Sequence, residues 1–320
     1  MTGDGTLDEA YEQLHGTGPE FEGWLSNHGP MASDALLRLG QGEHLQSWLH
    51  GYVTRLGDWC ALLNEQVHAE PWETVLARWW PRLLPGAVAS ATHGLIRTGH
   101  AVRALREQVN TPRLDELGQA LAYWAARWQP VPGQRPARGT RDVAAALDAL
   151  PVADLTGGVR TRLASLEQNP AWPAALDALR PPNDVQEIPA ALDTLVDAAV
   201  TRYGRWAHGN PVMLVHAATA PRAIALALPT VPRDMWLDSY NMAWAVTAAI
   251  SSAYRPTDPP PPTSAAERAI TSAGNVAELA VASGDEHAIK FTEVAHESHQ
   301  RGNTAALPSA MRAVTLIASS

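Results

Sequence analysis

Scarcity is the most telling property of this 320-residue chain, which holds one cysteine, one lysine and two phenylalanines beside 23 arginines, 12 histidines and 12 tryptophans. With Cys60 alone there is no internal disulfide and no thiolate metal cluster, as expected of a reducing compartment. Runs of lysine and arginine are missing too, and the formal net charge is −9. An acidic surface without a basic patch argues against nucleic acid and anionic membranes as partners. The two most apolar stretches, 211–229 and 235–254, are interrupted by Pro221-Arg222 and by Asp238 and Asn241. Neither resembles a membrane span of about 20 apolar residues. Residues 1–11 are acidic and lack an apolar core, so they read as neither signal nor transit peptide, and the expected location is the cytoplasm. No Gly-x-Gly-x-x-Gly stands between a strand and a helix, so no nicotinamide domain is visible, and no His-Glu-x-x-His zinc motif occurs.

What is present reads as helix. Alanine, leucine and arginine recur with apolar residues three and four apart, punctuated by proline and glycine, and 46% of the chain is hydrophobic. The expectation is an all-α protein, a single large multi-helix domain spanning 1–320. Leu45, Trp48, Leu49, Tyr52 and Leu56 form one apolar stripe, and Leu192, Leu195, Val196 and Ala199 another. Pro30 opens a predicted helix over 31–39 that Gly40-Gln41-Gly42 closes, which puts His28 just before a helix start. Residues 129–140 and 255–262 are rich in proline and read as loops inside the domain. Tryptophan in this quantity suits either ordinary helix packing or an aromatic-lined cavity, and packing is the default.

Four segments set a histidine beside small residues in apolar helical surroundings: Asn27-His28-Gly29-Pro30-Met31, the block from His93-Gly94 to Gly99-His100, His216-Ala217-Ala218-Thr219, and 285–291. Imidazole is the commonest protein ligand for zinc, copper and iron, and helical bundles build metal sites from histidines on separate helices. A glycine after a ligand relieves crowding, and His28 and His93 both have one. On a continuous helix His93 and His100 face the same way but stand about 10 Å apart along the axis, so only one of them fits a single metal easily. Arg97, one turn from His93, can bind an acidic phenol or, more ordinarily, a carboxylate. His44, His50, His68, His296 and His299 lack such context and read as surface or packing residues.

Lys290, the sole lysine, follows His287 by one helical turn behind the predicted N-cap Asp285. Guanidinium stays charged, whereas a buried lysine can lose its proton and act as nucleophile, base or carbamate ligand. The alternatives are that coding bias spared this lysine by chance, or that it pairs at the surface with Glu286 or Glu293.

The run Gly18-Pro19-Glu20-Phe21 to Met31 and the other three segments, in this order, resemble the questin oxidase-like family from about residue 8 to at least residue 300, with a weak match around 130–190. The family consists of helical oxygenases of anthraquinones and related polycyclic aromatic polyketides, which insert oxygen in Baeyer–Villiger fashion or cleave carbon–carbon bonds. The resemblance implies a buried histidine-rich site with mononuclear non-haem Fe(II), held by four histidines and a carbamylated lysine. Carried over, it makes His28, His93, His216 and His287 the imidazole ligands and Lys290 the carbamate. His100 is the reserve ligand or a substrate-facing catalytic residue, and Thr219 supplies a catalytic hydroxyl near oxygen or substrate. It also implies O2 as co-substrate, an aromatic polyketide as small-molecule partner, and NADPH, or the substrate itself, as an external reductant.

Two other functions fit the same residues. Carbamylated lysine also occurs in hydrolytic metal sites, so a zinc-dependent hydrolase is one. A non-catalytic quinone-binding partner protein that keeps the fold is the other.

Overall fold

The computed structural model describes residues 7, 20–21, 25–26, 29–45, 56–153, 156–258 and 273–318. Among them the only strands are β1 (Glu20–Phe21) and β2 (Leu25–Ser26), paired antiparallel with Phe21 opposite Leu25. The rest is helix and connection, so the all-α expectation holds. The helices are α1 (Gly29–Arg38), α2 (Leu56–Ala69), α3 (Trp72–Leu83), α4 (His93–Glu107), α5 (Thr111–Ala126), α6 (Val143–Asp148) and α7 (Val159–Gln168). They continue with α8 (Trp172–Asp177), α9 (Ile188–Trp206), α10 (Pro211–Ala227), α11 (Trp236–Tyr254), α12 (Ala273–Ser283), α13 (Glu286–Gln300) and α14 (Ala306–Ile317).

The core centres on α10, which packs against α4, α9, α11, α13 and α14. The two most apolar stretches of the sequence are α10 itself and α11, and no described helix is long and apolar enough to cross a membrane. Asn210 starts α10 by accepting from the Met213 N–H at 2.9 Å, and Pro211 supplies a first-turn φ. Pro221 does not end it. Proline has no N–H to give the carbonyl of Ala217, and the buried Thr247 hydroxyl on α11 donates to that oxygen instead, at 3.1 Å. The neighbouring helix thus repairs the defect, and α10 carries His216 and Arg222 on one rod.

Local signals explain most of the remaining elements. The predicted start at Pro30 and stop at Gly40 appear as α1 followed by Gly40 at φ 71°. Leu192, Leu195, Val196 and Ala199 are all buried on α9. Of the other stripe, Leu45 is buried, whereas Trp48, Leu49 and Tyr52 lie outside the described residues. Four tryptophans are fully buried packing units whose indole N–H groups are satisfied: Trp80 by Ser239, Trp124 by Gly86, Trp172 by Pro132 and Trp244 by Leu176. The 129–140 loop is tied down through Arg138 and Gly139, whose N–H groups donate to the carbonyls of Asp177 and Leu179. Of the 255–262 loop, 259–262 lie outside the described residues. Buried apolar side chains from Leu63 to Ile317 form one cluster.

Candidate metal centre

Three helices deliver one histidine each to a common point. His93 is the first residue of α4, His216 lies in the second turn of α10 and His287 is the second residue of α13. One nitrogen from each ring lies within 4.8 Å of those of the other two. The ring centroids are 4.7 Å apart for His93 and His216, 5.7 Å for His216 and His287, and 6.3 Å for His93 and His287. His216 is fully buried and the other two are partly so.

The helices that carry them run in one direction. His93 meets His216 at one level, and six residues on a Cβ at Gly99 would lie 2.6 Å from the Ala223 carbonyl oxygen. Backbone-to-backbone contact there sets the α4–α10 spacing. Gly94 has a similar use. A Cβ on it would sit 2.7 Å from the Trp124 Cα, so this glycine admits α5 and does not serve to relieve crowding around His93. Asp285 caps α13 as expected, accepting from the N–H groups of His287 at 2.7 Å and Ala288 at 3.1 Å. With His93 and His287 in first turns, the positive ends of two helix dipoles meet at the group, which favours neutral imidazole and any anion bound beside it.

Each imidazole has a protein oxygen near its Nδ1. His93 Nδ1 donates to the Ser90 carbonyl at 2.6 Å, which as a carbonyl only accepts, so the lone pair of neutral His93 lies on Nε2. His216 Nδ1 is 3.0 Å from the Thr92 hydroxyl, and its Nε2 is buried without a hydrogen-bond partner. His287 Nδ1 is 3.5 Å from an Asp285 carboxylate oxygen, too far for a formed bond, and is likewise buried and unpartnered. Burial holds His93 and His287 below the ordinary imidazole range and His216 well below it, and the nearby Lys290 amine pushes the same way. Three imidazoles held neutral and close together, two of them with a buried nitrogen that has no partner, are the donor set that a soft or borderline metal cation satisfies.

Lys290 stands among them. It is partly buried and has no hydrogen bond or ion pair among the described residues. Burial pulls its amine down to about 8, against the opposing pull of Glu286 and Asp285. Of the two carboxylates offered as surface partners, Glu293 is instead taken by Arg103, and Glu286 forms no ion pair with the lysine.

The other expected site residues are placed differently. His28 lies outside the described residues. His100 is not in the group: its Nδ1 accepts from Arg103 Nη2 at 3.0 Å, which assigns the ring proton of neutral His100 to Nε2. Thr219 is buried one turn below His216, but its hydroxyl donates to the Val215 carbonyl of its own helix at 3.1 Å. Arg97 holds Glu116 through two hydrogen bonds of 2.5 and 2.8 Å, the more ordinary of its two readings. His68 pairs with Asp115 at 2.7 Å, and His44 and His299 are exposed. Of three runs with Glu-x-x-His spacing, Glu65 to His68 and Glu293 to His296 contribute nothing to the group, and Glu12 to His15 lies outside the described residues.

Sequence reading missed the turn before α4. Ser90, Ala91 and Thr92 have φ of 45°, 54° and 74°, three successive left-handed residues without a glycine. Each costs about 1–2 kcal/mol, and a β-branched threonine there is the least expected of the three. Burial of Val88, Ala89 and Thr92 on either side of Ser90 and Ala91 holds the turn in place. Thr92 occupies the N-cap position of α4 without capping it, because its hydroxyl is turned to His216. The only sequence signal is a cap-type residue before a histidine, and it points to the wrong partner.

No family model, curated protein or solved structure matches this chain.

Proposed function

We propose that this chain is an O2-dependent non-haem iron oxygenase of the questin oxidase-like kind, acting on an anthraquinone-like aromatic polyketide by Baeyer–Villiger-type insertion or oxidative carbon–carbon cleavage. One observation carries the reading: three histidines from three helices bring ring nitrogens within 4.8 Å of one another, two of them with a buried nitrogen that has no partner, beside the only lysine of the chain. The order of the histidine segments along the sequence adds to it.

His93, His216 and His287 would hold Fe(II) through imidazole nitrogens. When bound, ferrous iron supplies the one-electron exchange that triplet dioxygen needs to react with a closed-shell aromatic. Lys290 contributes the charge that neutral imidazoles lack. With its amine near 8, about a tenth is unprotonated at pH 7, far more than for an ordinary lysine. That amine adds carbon dioxide through its nitrogen lone pair and releases one proton, which leaves an N-carboxylate on a long arm. Two converging helix N-termini stabilise such an anion. His28 would be a fourth imidazole. Reducing equivalents come from the substrate itself or from an external donor such as NADPH.

The test is metal content per chain in protein purified without added metal or a histidine tag, followed by oxygen uptake with hydroxylated anthraquinones. About one iron per chain, oxygen consumption coupled to quinone loss, and abolished turnover in a folded Lys290→Arg variant are the expected results. Stoichiometric zinc without oxygen uptake would replace the oxygenase by the hydrolase, for which the same imidazoles and carbamate serve. Tight quinone binding without turnover by fully metallated protein would leave a binding protein.

A further inference from the structure

We propose that Thr92 is a positioning residue: its hydroxyl accepts the Nδ1 proton of His216 and thereby fixes the tautomer that presents the Nε2 lone pair to the histidine group. The inference deepens the metal-centre reading and concerns the metal-free protein first. Thr92 and His216 are both fully buried, and their polar atoms stand 3.0 Å apart with no other partner for the imidazole. Free histidine prefers the proton on Nε2, so the opposite tautomer requires an acceptor at Nδ1. In this site that acceptor is Thr92.

Three features separate this contact from incidental packing. Thr92 leaves the N-terminus of α4 uncapped although it sits at the cap position. Its backbone is left-handed, at φ 74°, in a residue type that avoids that region. Its neighbour Ser90, in the same turn, does the same for His93 through a carbonyl that only accepts. The turn Ser90–Ala91–Thr92 therefore sets two of the three imidazoles, one through the main chain and one through a side chain. A strained local conformation is kept where it orients prospective ligands, as outer partners of metal-bound histidines do.

The experiment uses the full chain with 15N-labelled histidine, metal-free at pH 7.5, and reads the tautomer of His216 from long-range proton–nitrogen correlation spectra. The His216 signals are assigned by their loss in His216→Gln. The wild type is expected to carry the proton on Nδ1. Thr92→Val, which keeps shape and β-branching, is expected to lose that preference, and Thr92→Ser to retain it. Titration with Co(II) alone should then show binding weakened about 10–100-fold in Thr92→Val and by less than about 3-fold in Thr92→Ser. A wild-type His216 protonated on Nε2 overturns the proposal whether or not any variant folds. So does a Thr92→Val protein with unchanged tautomer and Co(II) affinity. If the tautomer behaves as expected and no variant or wild type binds Co(II), the positioning role stands and the metal reading falls.

Discussion

The parallel helices α4, α10 and α13 carry two polar layers that differ in one respect. In the first, His93, His216, His287 and Lys290 meet, and His216 Nε2 and His287 Nδ1 are buried with no hydrogen-bond partner. In the second, six to ten residues further along the same helices and so about 9–15 Å away by helical rise, every charge is matched. Arg103 binds Glu293 and donates to His100, and Arg222 donates to Glu297 at 2.6 Å. A buried charge without an opposite charge costs free energy, and a folded chain rarely keeps one without a use. The second layer shows that this framework can pair its charges where pairing is all that is needed. The first layer leaves His216 Nε2 without a partner and the Lys290 amine without an ion pair, and that is what makes it a candidate for a ligand.

The sharpest way to break the comparison is to remove one nitrogen from the first layer. His216→Leu should weaken metal binding more than about 100-fold, beyond the range for outer partners, while circular dichroism shows the helical content of the wild type. Unchanged affinity would mean that the three histidines do not act as one site. The matching change in the second layer is Glu297→Gln, which leaves Arg222 with a neutral acceptor. It should lower stability to urea by about 1–3 kcal/mol and leave metal affinity within about 3-fold of wild type. If both variants affected both properties, the two layers would be one network.

How far each layer is legible in the sequence follows from the range of the physics that sets it. Helix periodicity and caps act over a few residues, so the α9 stripe at Leu192, Leu195, Val196 and Ala199, the cap at Asp285 and the stop at Gly40 are all readable. The meeting of His93, His216 and His287 spans nearly 200 residues and follows from α4 and α13 packing on α10, which no spacing encodes. Small neighbours in apolar helical surroundings pick out the segments that hold these histidines among the 12 in the chain, but say nothing of their convergence. Thr219 shows a limit of motif transfer, since a threonine in a helix readily turns its hydroxyl to the carbonyl four residues back. The turn at Ser90–Thr92 was not readable at all, because serine, alanine and threonine carry no preference for φ > 0, and only the surrounding burial imposes it.

Proton linkage should separate the layers at smaller amplitude. His93, His216, His287 and His100 all lie below the ordinary 6.5 when folded, so the unfolded chain takes up protons that the folded one refuses as pH falls below that value. Stability of the metal-free protein should drop on acidification from there. Lys290 acts on the alkaline side. Below about pH 8 its folded-state penalty is fully present, and between about 8 and 10.5 the folded protein has released a proton that the unfolded chain still holds, so stability should rise. Lys290→Met should flatten that rise and stabilise the metal-free protein near pH 7 by about 1–2 kcal/mol, discounted for the partial exposure of the lysine. A loss of stability in this variant would show that the amine has a partner in the folded state.

The smallest effect probes how the first layer is held. Ala91 lies mid-way in the left-handed turn at φ 54° and gives its side chain to neither histidine. Glycine there removes about 1–2 kcal/mol of strain and adds about 0.5–1 kcal/mol of unfolded-state entropy, so Ala91→Gly should gain up to about 1 kcal/mol in urea unfolding. Metal affinity should not change, because the Ser90 carbonyl and the Thr92 hydroxyl keep their places. A gain in stability with affinity intact would show that burial around Val88, Ala89 and Thr92 fixes the turn and that strain at Ala91 is a by-product. Loss of affinity would show the reverse: that stiffness at this alanine helps hold the two imidazoles in register.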